Sequence, residues 1–252
     1  MLNHPTFDQL RHLQLHGMLK ALAEQERRPD IESLSFLERL ALLVDREVTE
    51  RDNRRLATRL RFAKLKQAAS LEDLDFHTPR QLDRTLVRAL ATCHWVRDHL
   101  NVLITGPTGV GKSYLACALA QKACREGYTA FYQRLPRLLV DLEIARGDGR
   151  YPKLMQQLAR IDVLVLDDFG LEPLTDRHRR DLLEIFDDRY GTRSTLVTSQ
   201  LPVPHWHAAL GDPTLADAIL DRLVHNAQRL DLKGPSLRKS RAAASDPTLV
   251  TP

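Results

Sequence analysis

Cysteine is scarce, and what there is does not pair. The chain of 252 residues holds three, Cys93, Cys117 and Cys124. An odd number without C-x-x-C spacing excludes a disulfide framework and a cysteine-built zinc site, and points to a reducing compartment. Cys117 and Cys124 lie seven apart in one helical stretch and are expected in a core. The first residues, MLNHPTFDQL, lack a basic region followed by an apolar one, and no apolar run of membrane-spanning length occurs anywhere. A secretory leader and a transmembrane helix are therefore not expected, and the reading is a soluble, cytoplasmic chain. A large net charge is missing too: 37 Lys and Arg face 33 Asp and Glu, leaving +4. His205, Trp206 and His207 form an H-x-H with no further ligands nearby at metal spacing, so surface or packing roles are expected.

What is present centres on NVLITGPTGVGKS, residues 101–113. Val102, Leu103 and Ile104 read as a buried strand, and Leu115, Ala116, Leu119 and Ala120 have helical spacing. Between them Gly106, Gly111, Lys112 and Ser113 fit G-x-x-x-x-G-K-[ST], with Pro107, Thr108, Gly109 and Val110 as the intervening residues and Tyr114 directly after. Small residues there let backbone N–H groups converge on nucleotide phosphates; Lys112 would reach the β and γ phosphates and Ser113 would place its hydroxyl on Mg²⁺. The positive end of the following helix favours the same anion.

Hydrophobic residues make up 43% of the chain, enough for a proper core in one large domain or in a medium domain with an appendage. Residues 1–75 read as a small all-helical domain that binds DNA or a partner. Leu15, Leu19 and Leu22 mark a first helix, and Ser35 with Glu38 is a capping box opening a longer one. Residues 46–66 carry eight Arg or Lys against three acids, a local excess of five suited to phosphate contacts or to a solvated helix face. The DNA-facing candidates are Arg51, Arg54, Arg55, Arg59, Arg61 and Lys64. The stretch 69–79 marks the boundary, and a helix is expected over 79–94. From Asn101 the pattern alternates strand and helix, which implies a parallel sheet with helices on its faces, so residues 76–240 read as one nucleotide-binding domain. The tail 241–252, rich in Pro, Ser and Ala, reads as disordered.

The run VLVLDD, residues 163–168, ends a buried strand with two carboxylates. Asp167 would hold Mg²⁺ beside Ser113, and Asp168 would orient or deprotonate the attacking water. Asp168 is one methylene shorter than the Glu common at that place, which makes slow hydrolysis an expectation. TLVTSQ ends with Ser199 and Gln200, polar groups placed to reach the γ-phosphate or that water. Arg222 lies off the apolar face of its helix, where it could enter a neighbouring subunit's nucleotide site or form a surface salt bridge.

GPTGVGKS, VLVLDDFG, TLVTSQLP, GDPTLADAILDRL and LKGPSLRK, in that order, resemble the transposase helper ATPases of the IstB type, relatives of the helicase loader DnaC in the AAA+ superfamily. LHGM at 15–18 and ERLALLVDREVTERDNRRL at 38–56 extend the resemblance over nearly the whole chain. It implies an AAA+ type P-loop sheet without the C-terminal lid domain, preceded by a helical domain. By the same resemblance ATP and Mg²⁺ are the cofactors, Gln200 falls in the sensor 1 segment, Arg222 matches the arginine finger offered to the next protomer, and Arg238 would sit near the nucleotide. The implied activity is slow ATP hydrolysis, stimulated by DNA or a partner, in a homo-oligomer whose ATP sites are shared between subunits. That assembly would wrap and remodel duplex DNA and recruit and stimulate a cognate transposase. Gln200 departs from the Asn frequent in such proteins. The alternatives are a helicase loader, in which the helical domain grips a helicase, and a small-molecule P-loop kinase, which would need an arginine-rich lid that is not apparent here.

Overall fold

The computed structural model describes residues 4–237, so Arg238 and the tail 241–252 lie outside the described residues. The chain divides into two compact units between Thr58 and Arg59. Residues 59–75, which composition groups with the helical domain, therefore belong to the second unit.

The first unit holds α1 (Pro5–His12), α2 (His16–Gln25), a short 3₁₀ turn at Pro29–Ser33, and α3 (Phe36–Ala63) as far as Thr58. The capping box forms: Ser35 N–H donates to Glu38 (2.8 Å) and Glu38 N–H donates to the Ser35 hydroxyl (3.3 Å). α1 carries only one short turn-and-a-half of pattern in the sequence and starts with Pro5 in its first turn. Gly17 is where α2 and α3 touch through their backbones, since a Cβ there would stand 2.6 Å from Arg46 O and Glu47 Cα. Glu47 completes the contact. Its carboxylate accepts from the N–H groups of Gly17 (2.7 Å) and Met18 (3.2 Å) at the start of α2, and from Arg51 Nε (2.7 Å). Burial alone would raise the Glu47 pKa, but these donors bring it below the usual value. The LHGM and DREVTERD segments are thus two halves of one capped helix crossing.

The second unit is a five-stranded, all-parallel sheet in the order β2-β3-β4-β1-β5. Its strands are β1 (Asn101–Thr105), β2 (Ala130–Arg134), β3 (Val163–Phe169), β4 (Ser194–Ser199) and β5 (Ala227–Asp231). The helices are α4 (Arg84–Ala91), α5 (His94–Arg97), α6 (Lys112–Arg125), α7 (Leu135–Gly147), α8 (Tyr151–Arg160), α9 (Asp176–Arg189), α10 (Trp206–Leu210) and α11 (Pro213–Val224). The helix expected over 79–94 is shorter than its pattern, because Cys93 takes φ +57° and separates α4 from α5. Side chains alternate across each strand. Leu103, Leu164, Leu166 and Val197 meet Leu138, Leu158, Leu182, Trp206 and Ile219 in one core, while α6 packs on the sheet separately from that cluster. All three cysteines are buried, Cys117 and Cys124 as expected, and burial pushes the Cys93 and Cys124 thiols up to about 11. Arg189 is also fully enclosed. It donates to the carbonyls of Leu158 (2.6 Å) and Ile161 (2.7 Å) and to Thr195 Oγ1 (3.0 Å), tying α8, α9 and β4 together, with its pKa lowered to about 9 chiefly by burial. No helix among the described residues is long and apolar enough to cross a membrane.

Glu47→Ala leaves two N–H groups of α2 without an acceptor. It should cost the first unit about 1–3 kcal/mol, read in the full-length chain by hydrogen exchange at α2 amides; unchanged protection there would show that the cap contributes nothing.

Candidate nucleotide site

β1 delivers the chain into the loop 106–111 and α6 takes it away. Gly106, Gly109 and Gly111 all have positive φ (142°, 87° and 99°), which a side chain would oppose. Each glycine also touches something. A Cβ on Gly106 would meet Leu232 O at 2.2 Å, one on Gly109 would meet Ser236 Oγ at 2.0 Å, and one on Gly111 would meet the Arg80 guanidinium at 2.7 Å. The segment 232–237, LKGPSL, is laid along the loop by three backbone bonds: Leu232 N–H to Thr105 O (2.8 Å), Lys233 N–H to Arg80 O (2.9 Å) and Leu237 N–H to Gly109 O (2.9 Å). The LKGPSL motif therefore straps the phosphate loop.

Arg80 is a site residue that sequence reasoning missed. Only 4% exposed, it donates to Val110 O (3.2 Å) and Asp75 O (2.6 Å), while its Nε is buried without a partner. Burial lowers its pKa. In HTPRQLD it looks like any loop arginine, and the proline before it is the one local signal.

The carboxylate pair of β3 is split by an irregularity in the β3–β4 register between Leu166 and Phe169, and Asp168 takes φ +65°. Asp167 turns inward with no exposed surface. The Ser113 hydroxyl lies 2.9 Å from both of its oxygens, Thr198 donates to Oδ1, Tyr132 donates to Oδ2, and Lys66 Nζ stands 3.2 Å from Oδ2. Burial works to raise the Asp167 pKa, yet the hydrogen bonds from Thr198, Tyr132 and Ser113 and the charge of Lys66 bring the net shift downward. Tyr132 shifts the other way, raised by burial and then by Asp167, and so remains a donor. Asp168 points to the rim, where its carboxylate accepts from Arg134 Nε at 2.7 Å, and its N–H donates to Thr198 Oγ1. Tyr132, Thr198, Lys66 and Arg134 were not singled out as partners of these carboxylates from sequence, since each lies 30 or more residues away along the chain.

The remaining expected residues divide. Lys112, nearly buried, donates to Gly106 O (2.7 Å) and Pro107 O (2.9 Å) at the foot of the loop. Gln200 accepts from the Thr108 hydroxyl (2.8 Å) beside the loop. Ser199 is enclosed and donates to Phe169 O (2.7 Å), joining strand ends instead of facing the cavity. Arg222 pairs with Asp187 (2.5 Å) and donates to Ala218 O (3.0 Å), the salt-bridge alternative in its own chain. The Tyr114 hydroxyl lies 3.5 Å from the Ser70 backbone. Of the basic set, Arg51 is held by Glu47, Arg55 stands 3.5 Å from Asp52, Arg59 donates to Cys124 O (3.3 Å) and Lys64 lies 5.7 Å from the Phe131 ring centre, whereas Arg54 and Arg61 are exposed. A cavity of about 390 Å³ opens over the loop, bounded by Thr108, Gly111, Lys112, Ser113 and Tyr114 on one side, by Asp168, Arg134 and Gln200 at the strand ends, and by Lys66, Leu74, Asp75 and Arg80 opposite.

A strapped glycine loop opening a helix, with a strand-end carboxylate on the next hydroxyl and the β2-β3-β4-β1-β5 order, defines a P-loop NTPase fold of the AAA+ kind. The solved structure of DnaI superimposes with a TM-score of 0.58 at 22% identity, over 70% of this chain and 93% of that one. Within that class the chain belongs to the family of IstB-like ATP binding proteins, whose pattern matches residues 8–245. It is 54% identical, over 97% of its length and the whole of the relative, to a Sinorhizobium fredii protein named as an insertion sequence ATP-binding protein. It is likewise 54% identical, over 80% of its length and 88% of the relative, to a Pseudomonas fluorescens protein named for the ATP-binding function of the insertion sequence IS1162.

Tyr132→Phe removes one donor from a buried anion. It should lower the stability of the second unit by about 1–3 kcal/mol, measured by urea unfolding, while Tyr128→Phe serves as a neutral control; equal midpoints for the two would deny Tyr132 this part.

Proposed function

We propose that this chain is an ATP-dependent DNA-binding helper of transposition, which assembles on duplex DNA with ATP sites shared between copies and recruits a cognate transposase. The observation that carries the reading is the Ser113 hydroxyl seated at 2.9 Å on both oxygens of a buried Asp167, beneath a phosphate loop, in a family of IstB-like ATP binding proteins. Relatives named for insertion sequences support the biological setting. The helicase-loader alternative has only a likeness of fold behind it, and the small-molecule kinase has no observation in its favour.

The donors fit magnesium. A hydroxyl and a carboxylate oxygen are hard ligands, and Mg²⁺ ordinarily takes one or two carboxylate or hydroxyl oxygens together with substrate phosphates. Ser113 and Asp167 would hold the ion, which would supply Lewis-acid neutralisation of the charge that develops during phosphoryl transfer. The loop amides and Lys112 hold the triphosphate. Asp168, at the rim of the same cavity, orients the attacking water and takes its proton; its pairing with Arg134 keeps the carboxylate aimed and must loosen for that proton to arrive. Gln200, held by the Thr108 hydroxyl, would reach toward the γ-phosphate. For Arg222 to serve a neighbouring copy it must leave Asp187, which is largely exposed and so a weak competitor. Duplex binding falls to the exposed cations of α3, Arg54, Arg55 and Arg61 foremost.

Gel shifts on a duplex with ATP, ADP and no nucleotide should give a retarded complex only with ATP, and Lys112→Ala should abolish it; equal retardation in all three conditions would sink the ATP-gated reading. Asp168→Asn should retain ATP and DNA binding and reduce phosphate release by about a hundredfold or more, measured in single-turnover assays, whereas near-normal release would remove Asp168 from the water-activating role.

A further inference from the structure

Of the eight basic residues between 46 and 66, Lys66 is the one whose ammonium reaches the nucleotide side of the sheet, 3.2 Å from Asp167 Oδ2. Its backbone is fixed before its side chain is. Within the second unit, the last turn of α3 packs through buried Ala63, through Phe62 at 6.0 Å from the Phe131 ring and through Arg59 on Cys124 O. Lys64 then takes φ +48° and ends the helix. A lysine side chain this long has water within reach, yet here it lies along the cavity wall and ends on an enclosed carboxylate.

That carboxylate is the one assigned to magnesium. An ammonium and a divalent cation on the same carboxylate repel one another and compete for one anion. We propose that Lys66 sets the affinity of the Ser113–Asp167 site for its metal: it neutralises Asp167 by itself and has to withdraw its ammonium into the cavity, toward the triphosphate, for the metal to be held. The inference rests on the nucleotide reading above and adds a control to it.

The test uses the full-length chain and a fluorescent ATP analogue followed by anisotropy, first with chelator and then through a MgCl₂ titration, with Mn²⁺ binding read directly by paramagnetic resonance. In Lys66→Ala and Lys66→Met the divalent concentration that half-saturates the effect should fall about tenfold or more, while Lys66→Arg should stay within about threefold of the native chain. Metal-free analogue binding should be unchanged or weaker in the two neutral variants, because Asp167 is then left unbalanced near the phosphates. A half-saturating concentration in Lys66→Ala equal to or above that of the native chain overturns the proposal, and so does analogue binding that weakens equally with and without metal, the mark of a plain phosphate ligand. If the native chain binds no analogue in either condition, it is the nucleotide reading that fails, a result distinct from any change in metal dependence.

Discussion

Asp167 has no exposed surface, and a carboxylate in that position stays ionised only where enough donors and positive charge converge on it. Here α6 supplies Ser113, β2 supplies Tyr132, β4 supplies Thr198, and the segment after α3 supplies Lys66. Four separate parts of the unit must therefore stand in one arrangement for the charge to be tolerated. The cost of getting it wrong is that of an unpaired buried anion, several kcal/mol, which is comparable with the net stability of a domain. Structure and chemistry share this constraint, because a carboxylate ringed by hydroxyls at the end of a buried strand is also what a hard cation requires.

The phosphate loop answers to a second constraint. Glycine-rich backbone is costly to order, and a loop that had to organise around each incoming phosphate would lose part of its affinity to that ordering. In this chain the outer side of the loop is already occupied by Leu232, Ser236 and the Arg80 guanidinium, so the positive-φ conformations are held from behind. The buried, unpartnered Nε of Arg80 is tolerated in a side chain whose other nitrogens are well engaged, and it marks how closely the segment 75–80 is drawn against the loop.

What the sequence discloses and what it hides follow from distance along the chain. The phosphate loop, the Ser35–Glu38 box and the strand ending in Asp167 and Asp168 are local patterns, and each is found where its spacing puts it. The fold class follows, since alternating strands and helices leave few arrangements for a parallel sheet. The ring around Asp167 is not legible in this way: Tyr132 and Thr198 read simply as strand residues, and only folding sets them 35 and 31 positions away against the same carboxylate. The same limit explains the edge of the helical domain. Composition changes near residue 75, but Arg59, Phe62 and Lys64 settle on α6 and β2, and packing moves the division to Thr58. Nor does a count of cations say which way each one faces.

That last point bears on how such a chain could hold DNA. Of the basic residues at 46–66, Arg51 is spent on Glu47, Arg59 on the end of α6, Lys64 on an aromatic ring and Lys66 on Asp167, while Arg46 stands 3.7 Å from Glu24. What remains is a small exposed set, Arg54 and Arg61, with Arg55 standing 3.5 Å from an equally exposed Asp52. A few phosphate contacts give weak, salt-sensitive binding, since each contributes only the release of about one counterion. Such a surface becomes effective when copies are aligned along one duplex, where the second and later contacts are made at high effective concentration. On the proposed reading, so sparse a basic surface would make physical sense of a nucleotide site whose occupancy governs assembly: the fewer the cations each copy offers, the more completely a grip on DNA would depend on how many copies the nucleotide holds in line.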